Sequence, residues 1–427
     1  MKRILPLLLA ALILAGCASA PSPTTTPEAV KAYNAVTMPK ALAVDDYEGR
    51  AALRESVTEE QMAGAINFSI RSAQAVLGSG EQTKNRLYSP LSLYFALSML
   101  AETAGGETKS QILSSLDMDE AAWAKTSDIY RLLYADDQYT KLLLANSAWV
   151  QNSQGSGKDD AIVFHQEALD ALAQRHFAEV FAADFENPQT GDTIGNWIFK
   201  KTNGLLGGAF QVPEATLMML INTVYYKSEW TEGFQAESTA PGAFHNADGS
   251  ESSCDFMHKT SMQSFVRTEQ YTSSTLGLKG DGMVRFILPN EGVAPKDILT
   301  GNSWAQALEG GEATGYGTIT WQVPKLNYNE SLNLNEAAKA LGIEDALDPN
   351  QADFSPLSDS PLYVSSIHQQ SAITMDENGI EAASYTDIAM AGTAMPTDQA
   401  EMILDRPFIY VIYVSGLPLF VGVVNAM

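Results

Sequence analysis

Five histidines could act as bases or metal ligands: His165, His176, His245, His258 and His368. None has a partner at a metal-ligand spacing. No G-x-S-x-G, H-E-x-x-H or phosphate-binding glycine loop occurs to give a serine, histidine or backbone turn a catalytic role. An enzyme is therefore the least favoured reading, with no catalytic residue, no metal and no cofactor expected. The cysteines are Cys17 and Cys254. Cys17 follows Met1-Lys2-Arg3 and an apolar run over residues 4–14, too short to span a bilayer as a mature helix and typical of a sorting signal.

Leu14-Ala15-Gly16-Cys17 resembles the lipobox of bacterial lipoproteins. The resemblance implies cleavage before Cys17 and a diacylglycerol on its sulfur; an ordinary secretory signal cut near Ala18-Ser19-Ala20 is the alternative. Several acyl chains, at about 0.8 kcal/mol per buried methylene, would hold the protein at a membrane. With Cys17 lipidated, Cys254 has no disulfide partner. Residues 18–40 include Pro21-Ser22-Pro23-Thr24-Thr25-Thr26-Pro27, a composition that stays extended and buries no core. The expected organisation is a signal over residues 1–16, a lipidated flexible tether over 17–45 and one folded domain over 46–427.

The elements behind that tether are legible piecewise. With 45% hydrophobic residues, 427 residues support a large core. The formal net charge of -25 disfavours nucleic acid and anionic surfaces and reads as solubilising charge. Thr58 and Gln61 have capping-box spacing before Met62, Ile66, Ile70, Ala73 and Leu77 at helical spacing. Ser89-Pro90 opens a second, nearly all-apolar helix. Residues 142–150 and 216–226 read as strands, the second apolar throughout and so covered on both faces. Asn222 sits inside it and needs hydrogen-bond partners, because an unpaired buried amide costs about 1–3 kcal/mol. Residues 407–414 and 419–424 form a terminal hairpin. Helices and strands without regular βα alternation predict an α+β fold.

Several motifs in order resemble the serpin family: Asn85-Arg86-Leu87-Tyr88-Ser89-Pro90-Leu91-Ser92, Asn196-Trp197, Lys201-Thr202-Asn203-Gly204, Leu220-Ile221-Asn222-Thr223-Val224-Tyr225-Tyr226-Lys227-Ser228-Glu229-Trp230, Asp405-Arg406-Pro407-Phe408 and Gly422-Val423-Val424-Asn425. The resemblance implies three β-sheets, eight or nine helices and an exposed reactive-centre loop, here residues 377–404. Its hinge would be Glu377, Gly379, Ile380, Glu381, Ala382 and Ala383. Ser89, Ser92 and Asn222 match the family's shutter. Its histidine position falls on Gln369, with His368 one place earlier. Trp230 matches the tryptophan where the loop first joins the main sheet.

An inserting strand must show alternate faces to core and solvent. Ile380, Ala382, Ser384, Thr386, Ile388 and Met390 are uncharged; Glu381, Ala383, Tyr385, Asp387, Ala389 and Ala391 hold both charges and the tyrosine. The family's count from the hinge glutamate places the cut bond at Thr393-Ala394; counting back from Pro407 with a shorter loop would place it near Pro396, and Met390 and Met395 are secondary candidates. A small residue at Thr393, and no Arg or Lys between Glu377 and Asp405, imply an elastase-like or subtilisin-like serine protease as partner, with cysteine proteases as secondary candidates. The implied protein is a monomeric inhibitor on a bacterial cell envelope. The alternative is a non-inhibitory serpin that binds a partner; Ile380 in place of threonine and the bulky Tyr385 point that way.

Overall fold

Thr58 caps the helix Glu59–Leu77 as its spacing to Gln61 predicts. Its side chain accepts from the Gln61 N–H, and the Gln61 side chain accepts from the Thr58 N–H at 3.0 Å. Two orphan donors of the first turn are satisfied reciprocally. Ser89 caps Pro90–Thr103, with Pro90 in the first turn, where its missing N–H is harmless. That helix is buried almost all round, as its sequence requires. It packs against the strands Met218–Glu229 and Leu417–Val424 and so joins the two sheets of the molecule.

The computed structural model describes residues 30–33, 37–43, 46–152, 162–208, 210–213, 216–380 and 398–427. Among these residues lie 17 strands and 11 α-helices, the expected α+β class with more helices than the eight or nine anticipated. Short pieces such as Glu120–Trp123 account for the excess. The main sheet has eight strands. Seven of them run in the order Val30–Ala32, Ala178–Ala183, Thr140–Gln151, Met218–Glu229, Gly379–Ile380, His368–Asp376 and Leu326–Asn333, and the eighth, Ala135–Asp136, pairs with Thr140–Gln151 beside that path. The other strands form one nine-stranded sheet in which Glu251–Arg267 is long enough to pair with Ala240–His245, Gly315–Pro324 and Tyr271–Leu278. Two of the three sheets implied by the resemblance are thus joined by hydrogen bonds.

Met218–Glu229 is covered on both faces, which explains its unbroken apolar run. The helix Pro90–Thr103 lies on one side. On the other, Ile194, Trp197 and Ile198 of the helix Pro188–Lys201 pack with Trp149, Met219 and Ile221. The terminal hairpin Phe408–Val414 and Leu417–Val424 is buried at every residue. Its turn, Ser415-Gly416, has φ of 51° and 81°, the positive pair that matches strand twist in a two-residue loop.

The N-terminal part differs from the sequence reading. The helix Tyr47–Ser56, capped by Asp46, opens the expected folded domain at its first residues but buries none of them. Within the stretch expected to be a flexible tether, Val30–Ala32 pairs with Ala178–Ala183 as an added edge strand of the main sheet. A Pro/Thr-rich composition carries no strand signal, but an exposed row of backbone groups on Ala178–Ala183 accepts any extended segment within reach.

A hinge, a lane and a latch in the main sheet

The hinge is built around the short strand Gly379–Ile380, which pairs antiparallel on both sides. Gly379 faces Glu229 and Asp376; Ile380 faces Ser228 and Met375. Gly379 has φ +151°, and a Cβ there would stand 2.1 Å from the Ser228 carbonyl oxygen. Only glycine fits this approach. The Asp376 side chain accepts from the Asn378 N–H at 2.8 Å and the Gly379 N–H at 3.3 Å, closing the turn before it.

Glu377 is tied down by two groups far away in sequence. Its Oε1 accepts from Lys325 Nζ at 2.7 Å and from Thr239 Oγ1 at 2.7 Å. Burial acts to raise the Glu377 pKa, but the bonds from Lys325 and Thr239 outweigh it and hold the carboxyl below its ordinary range. Trp230 closes the same corner. Its Nε1 donates to the Asp376 carbonyl at 2.8 Å, its backbone N–H donates to the Asn378 carbonyl at 2.9 Å, and its ring meets Phe234 edge-on.

Met218–Glu229 pairs with Thr140–Gln151 along one edge, and His368–Asp376 with Leu326–Asn333 along one edge. On their facing edges, the described residues pair only with Gly379 and Ile380. The line between these facing edges, which Gly379 and Ile380 enter, is the lane a further strand would take. Its register is already fixed by its first two residues.

The latch lies in the middle of that lane. Gln369 is buried, and its side-chain amide makes two bonds to one residue: Oε1 accepts from the Ser89 N–H at 2.8 Å, and Nε2 donates to the Ser89 carbonyl at 2.9 Å. Ser89 Oγ donates to the Leu419 carbonyl at 2.7 Å and accepts from the Ser92 N–H at 3.3 Å. The strand His368–Asp376 is thus fastened to the helix cap and, through it, to the terminal hairpin. His368 is exposed, so strand parity selects Gln369 for the inward position.

Asn222 is half-buried and belongs to a separate chain of bonds. Its Nδ2 donates to Asn146 Oδ1 at 2.7 Å, and Asn146 Nδ2 donates to the His176 carbonyl at 2.6 Å. Its Oδ1 is buried with no hydrogen-bond partner among the described residues. The expected grouping of Ser89, Ser92 and Asn222 is therefore split: Gln369 bonds Ser89, while Asn222 bonds Asn146. His176 also meets Glu102 at 3.2 Å, with Arg175 at 3.0 Å from the same carboxylate. Burial raises the Glu102 pKa, but the His176 bond and the His176, Arg175 and Lys109 charges bring it below the ordinary value.

Of the residues singled out from sequence, Gly379 and Ile380 enter this lane, Glu377 and Trp230 are held at its hinge end, Asn222 lies on a flanking strand, and Ser89 and Ser92 belong to the helix cap that Gln369 bonds. Glu381, Ala382, Ala383, Thr393 and Ala394 lie outside the described residues, as does Cys17. Cys254 is free and part-buried, and burial followed by the Asp255 charge pushes its thiol up to about 11, which leaves it unreactive near neutrality.

A family model described as Serpin (serine protease inhibitor) matches residues 63–427. The chain belongs to the serpin family. Plasminogen activator inhibitor 1 of Neovison vison is 29% identical to this serpin over 374 residues, 84% of this chain and 91% of that protein. The native-state structure of the thermophilic serpin tengpin matches with TM-score 0.74 at 26% identity, over 87% of this chain and 95% of the other. A thyroxine-binding globulin in complex with thyroxine shares the fold, with TM-score 0.69 at 21% identity over 88% of this chain and 100% of the other. The family thus holds proteins named for inhibition and a protein named for binding.

Lys325, Thr239 and Asn146 were missed in the sequence. Asn146 had a signal, since a lone amide inside the apolar stretch 142–150 poses the same question as Asn222. Lys325 and Thr239 had none, because their roles come only from distant segments meeting at the hinge.

Proposed function

We propose that this serpin is a protease inhibitor held at a bacterial cell envelope by a lipidated Cys17, and that it traps a serine protease with a small-residue pocket after cleavage at Thr393-Ala394. The lane carries the reading. Continued along the register of Gly379 and Ile380, the loop sets Ala382 between Tyr226 and Ile373, Ser384 between Val224 and Ser371, and Thr386 between Asn222 and Gln369. The flanking residues at these levels are buried or half-buried, so the lane asks for small or uncharged side chains, and the sequence supplies them. Thr386 would also bring a hydroxyl donor to Asn222 Oδ1. Glu381, Ala383, Tyr385 and Asp387 fall on the opposite face.

The target protease's serine would attack the Thr393 carbonyl and form an acyl-enzyme. Insertion of residues 381–393 before hydrolysis then separates the Thr393 ester from the body's loop end. The serpin supplies no catalytic group; it supplies the free energy of completing the sheet.

The test mixes the soluble body with an elastase-like, a subtilisin-like and a papain-like protease. The expected result is a detergent-resistant covalent adduct with one of the serine proteases and a released C-terminal peptide beginning at Ala394. Cleavage with neither adduct nor gain in thermal stability would sink this reading in favour of a binding serpin.

A further inference from the structure

We infer that Leu326–Asn333, an edge strand of the main sheet, is a self-association surface on which a second copy of this chain pairs antiparallel about a two-fold axis through Asn329. The inference is independent of the inhibitory reading and rests on how the edges of the sheets are guarded.

An open sheet edge is a row of unpaired backbone donors and acceptors, and proteins blunt such rows with charge, proline, short length or a cover. The other strands that end the sheets carry one of these guards. Val30–Ala32 has three residues and an exposed Lys31, Ala135–Asp136 has two residues, and Arg86–Tyr88 has three. Ala240–His245 holds Pro241, and Asp398–Ile403 exposes Asp398 and Glu401. Leu326–Asn333 has no such guard. It is eight residues long and lacks proline and lysine. It pairs with His368–Asp376 at eight consecutive positions without a bulge, and on its other side it has no strand partner among the described residues.

The one charge of this strand is turned away from solvent. Glu330 lies on the inner face, 15% exposed, where its carboxylate accepts from Arg86 Nε and from the Leu87 N–H. Tyr328 shares that face, its hydroxyl 2.8 Å from that of Tyr410. The outer face shows Asn327, Asn329, Ser331 and Asn333, all exposed. Their neighbours on the next strand are Thr374, Ala372, Gln370 and His368, so the strip holds no Asp, Glu, Lys or Arg in a chain of net charge -25.

The occupant that fits this edge is the edge itself. Residues directly opposite in an antiparallel pair lie on one face. An axis through Asn329 sets Asn329 against Asn329 of the second copy, Asn327 against Ser331, Tyr328 against Glu330 and Leu326 against Leu332. Amides and hydroxyls meet outside, leucines meet inside, and no like charges face each other. An axis through Glu330 would oppose two carboxylates, which is unfavourable. A two-fold pair also closes on itself instead of growing into a filament. Leu326 is level with Met375 beside the hinge, and Asn333 with His368 at the far end, so the two hinges of the dimer point in opposite directions. Each lane lies beyond His368–Asp376 and stays uncovered. One strand pair buries less than the about 1,200–2,000 Å² of a stable complex, so the dimer is weak. The two acidic bodies repel, and salt screens that repulsion beyond about 8 Å at physiological strength.

The test is sedimentation velocity of the protein over a wide range of concentration at low and high salt. A monomer–dimer equilibrium that shifts toward dimer with salt is expected. Asn329→Lys sets two ammonium groups opposite each other on the axis and should weaken the dimer about fivefold. An equimolar mixture of Asn329→Lys and Asn329→Glu should restore it, which also shows that both variants fold. Disulfide trapping reads the register against the unsubstituted protein as control. Asn329→Cys should cross-link to itself, and Asn327→Cys should cross-link to Ser331→Cys in preference to itself. A monomer at every concentration would overturn the inference and leave this edge to a different occupant. A dimer indifferent to Asn329→Lys, a mixture no stronger than Asn329→Lys alone, or an Asn327→Cys protein that cross-links to itself as well as to Ser331→Cys would overturn it too.

Discussion

Gln369→Ala should loosen the native sheet by an amount that can be worked out from the latch. The substitution removes two bonds but leaves two different situations behind. The Ser89 carbonyl keeps a second, longer partner, the Leu93 N–H at 3.4 Å, so its loss is that of an ordinary hydrogen bond, about 0.5–1.5 kcal/mol. The Ser89 N–H loses its acceptor inside a residue that is 1% exposed, and a buried orphan donor costs about 1–3 kcal/mol. Together these give about 1.5–4.5 kcal/mol, or roughly 10- to 1,600-fold in the equilibrium between the native sheet and its unfolded form. The two unequal terms also rank the variants. Gln369→His can satisfy one Ser89 group at a time and should fall between alanine and glutamine, while Gln369→Glu turns the donor into an acceptor against the Ser89 carbonyl and should be at least as damaging as alanine.

The measurement is the urea midpoint of the first unfolding transition of the soluble body, together with the rate at which the intact protein gains heat resistance at constant temperature. Both should move for Gln369→Ala: the midpoint down, the rate up. A midpoint shift worth less than about 0.5 kcal/mol for the alanine variant would refute the claim that this amide fastens the strand to the helix cap.

Three further outcomes are expected. The Glu377 carboxyl is held below its ordinary pKa, so its contribution is present above the usual carboxylate range and is lost as pH falls through the depressed value; conversion of the native protein should accelerate in acid, and Glu377→Gln should flatten that dependence in the same rate assay. Gly379→Ala places a Cβ 2.1 Å from the Ser228 oxygen, so the hinge strand should detach, with increased proteolytic nicking near residue 379 read by mass spectrometry. Ala382→Arg puts a charge between Tyr226 and Ile373 on the buried face of the lane, so the variant should be cleaved as a substrate, with adduct yield on gels falling at least tenfold and native stability unchanged.

What was legible in the sequence follows the range of the interaction. The Thr58 capping box, the Ser89-Pro90 helix start and the terminal hairpin rest on neighbours a few residues apart, and all three stand where their spacing places them. Asn222 announced itself as an amide in an apolar run, but its partner Asn146 is set by the pairing of two strands, which local pattern does not contain. Gln369 against His368 is a question of strand parity, and a one-residue slip would exchange their faces. The Lys325 and Thr239 clamp on Glu377 joins three separate segments. Val30–Ala32 was read as tether from the Pro/Ser/Thr composition of the stretch around it; it is a strand because Ala178–Ala183 offers an edge.

The locks share a target. Gln369 holds the beginning of the strand His368–Asp376 to the Ser89 cap, while Trp230 holds the Asp376 carbonyl at its end, and Lys325 with Thr239 holds the next residue, Glu377. The lane can widen only if this strand and Met218–Glu229 move apart, and a strand pinned at both ends cannot move without breaking a pin. Bonds present in the native sheet and broken on the way to insertion raise the barrier by their full value, whatever the depth of the final state. The buried side of the lane does the opposite: Asn222 Oδ1 without a partner and two strand edges without described neighbours favour the added strand once the pins release. Rate and driving force are therefore set by different atoms of one lane. In the proposed inhibitor, that separation is what would let a cut at one distant peptide bond release free energy that the intact loop leaves unused.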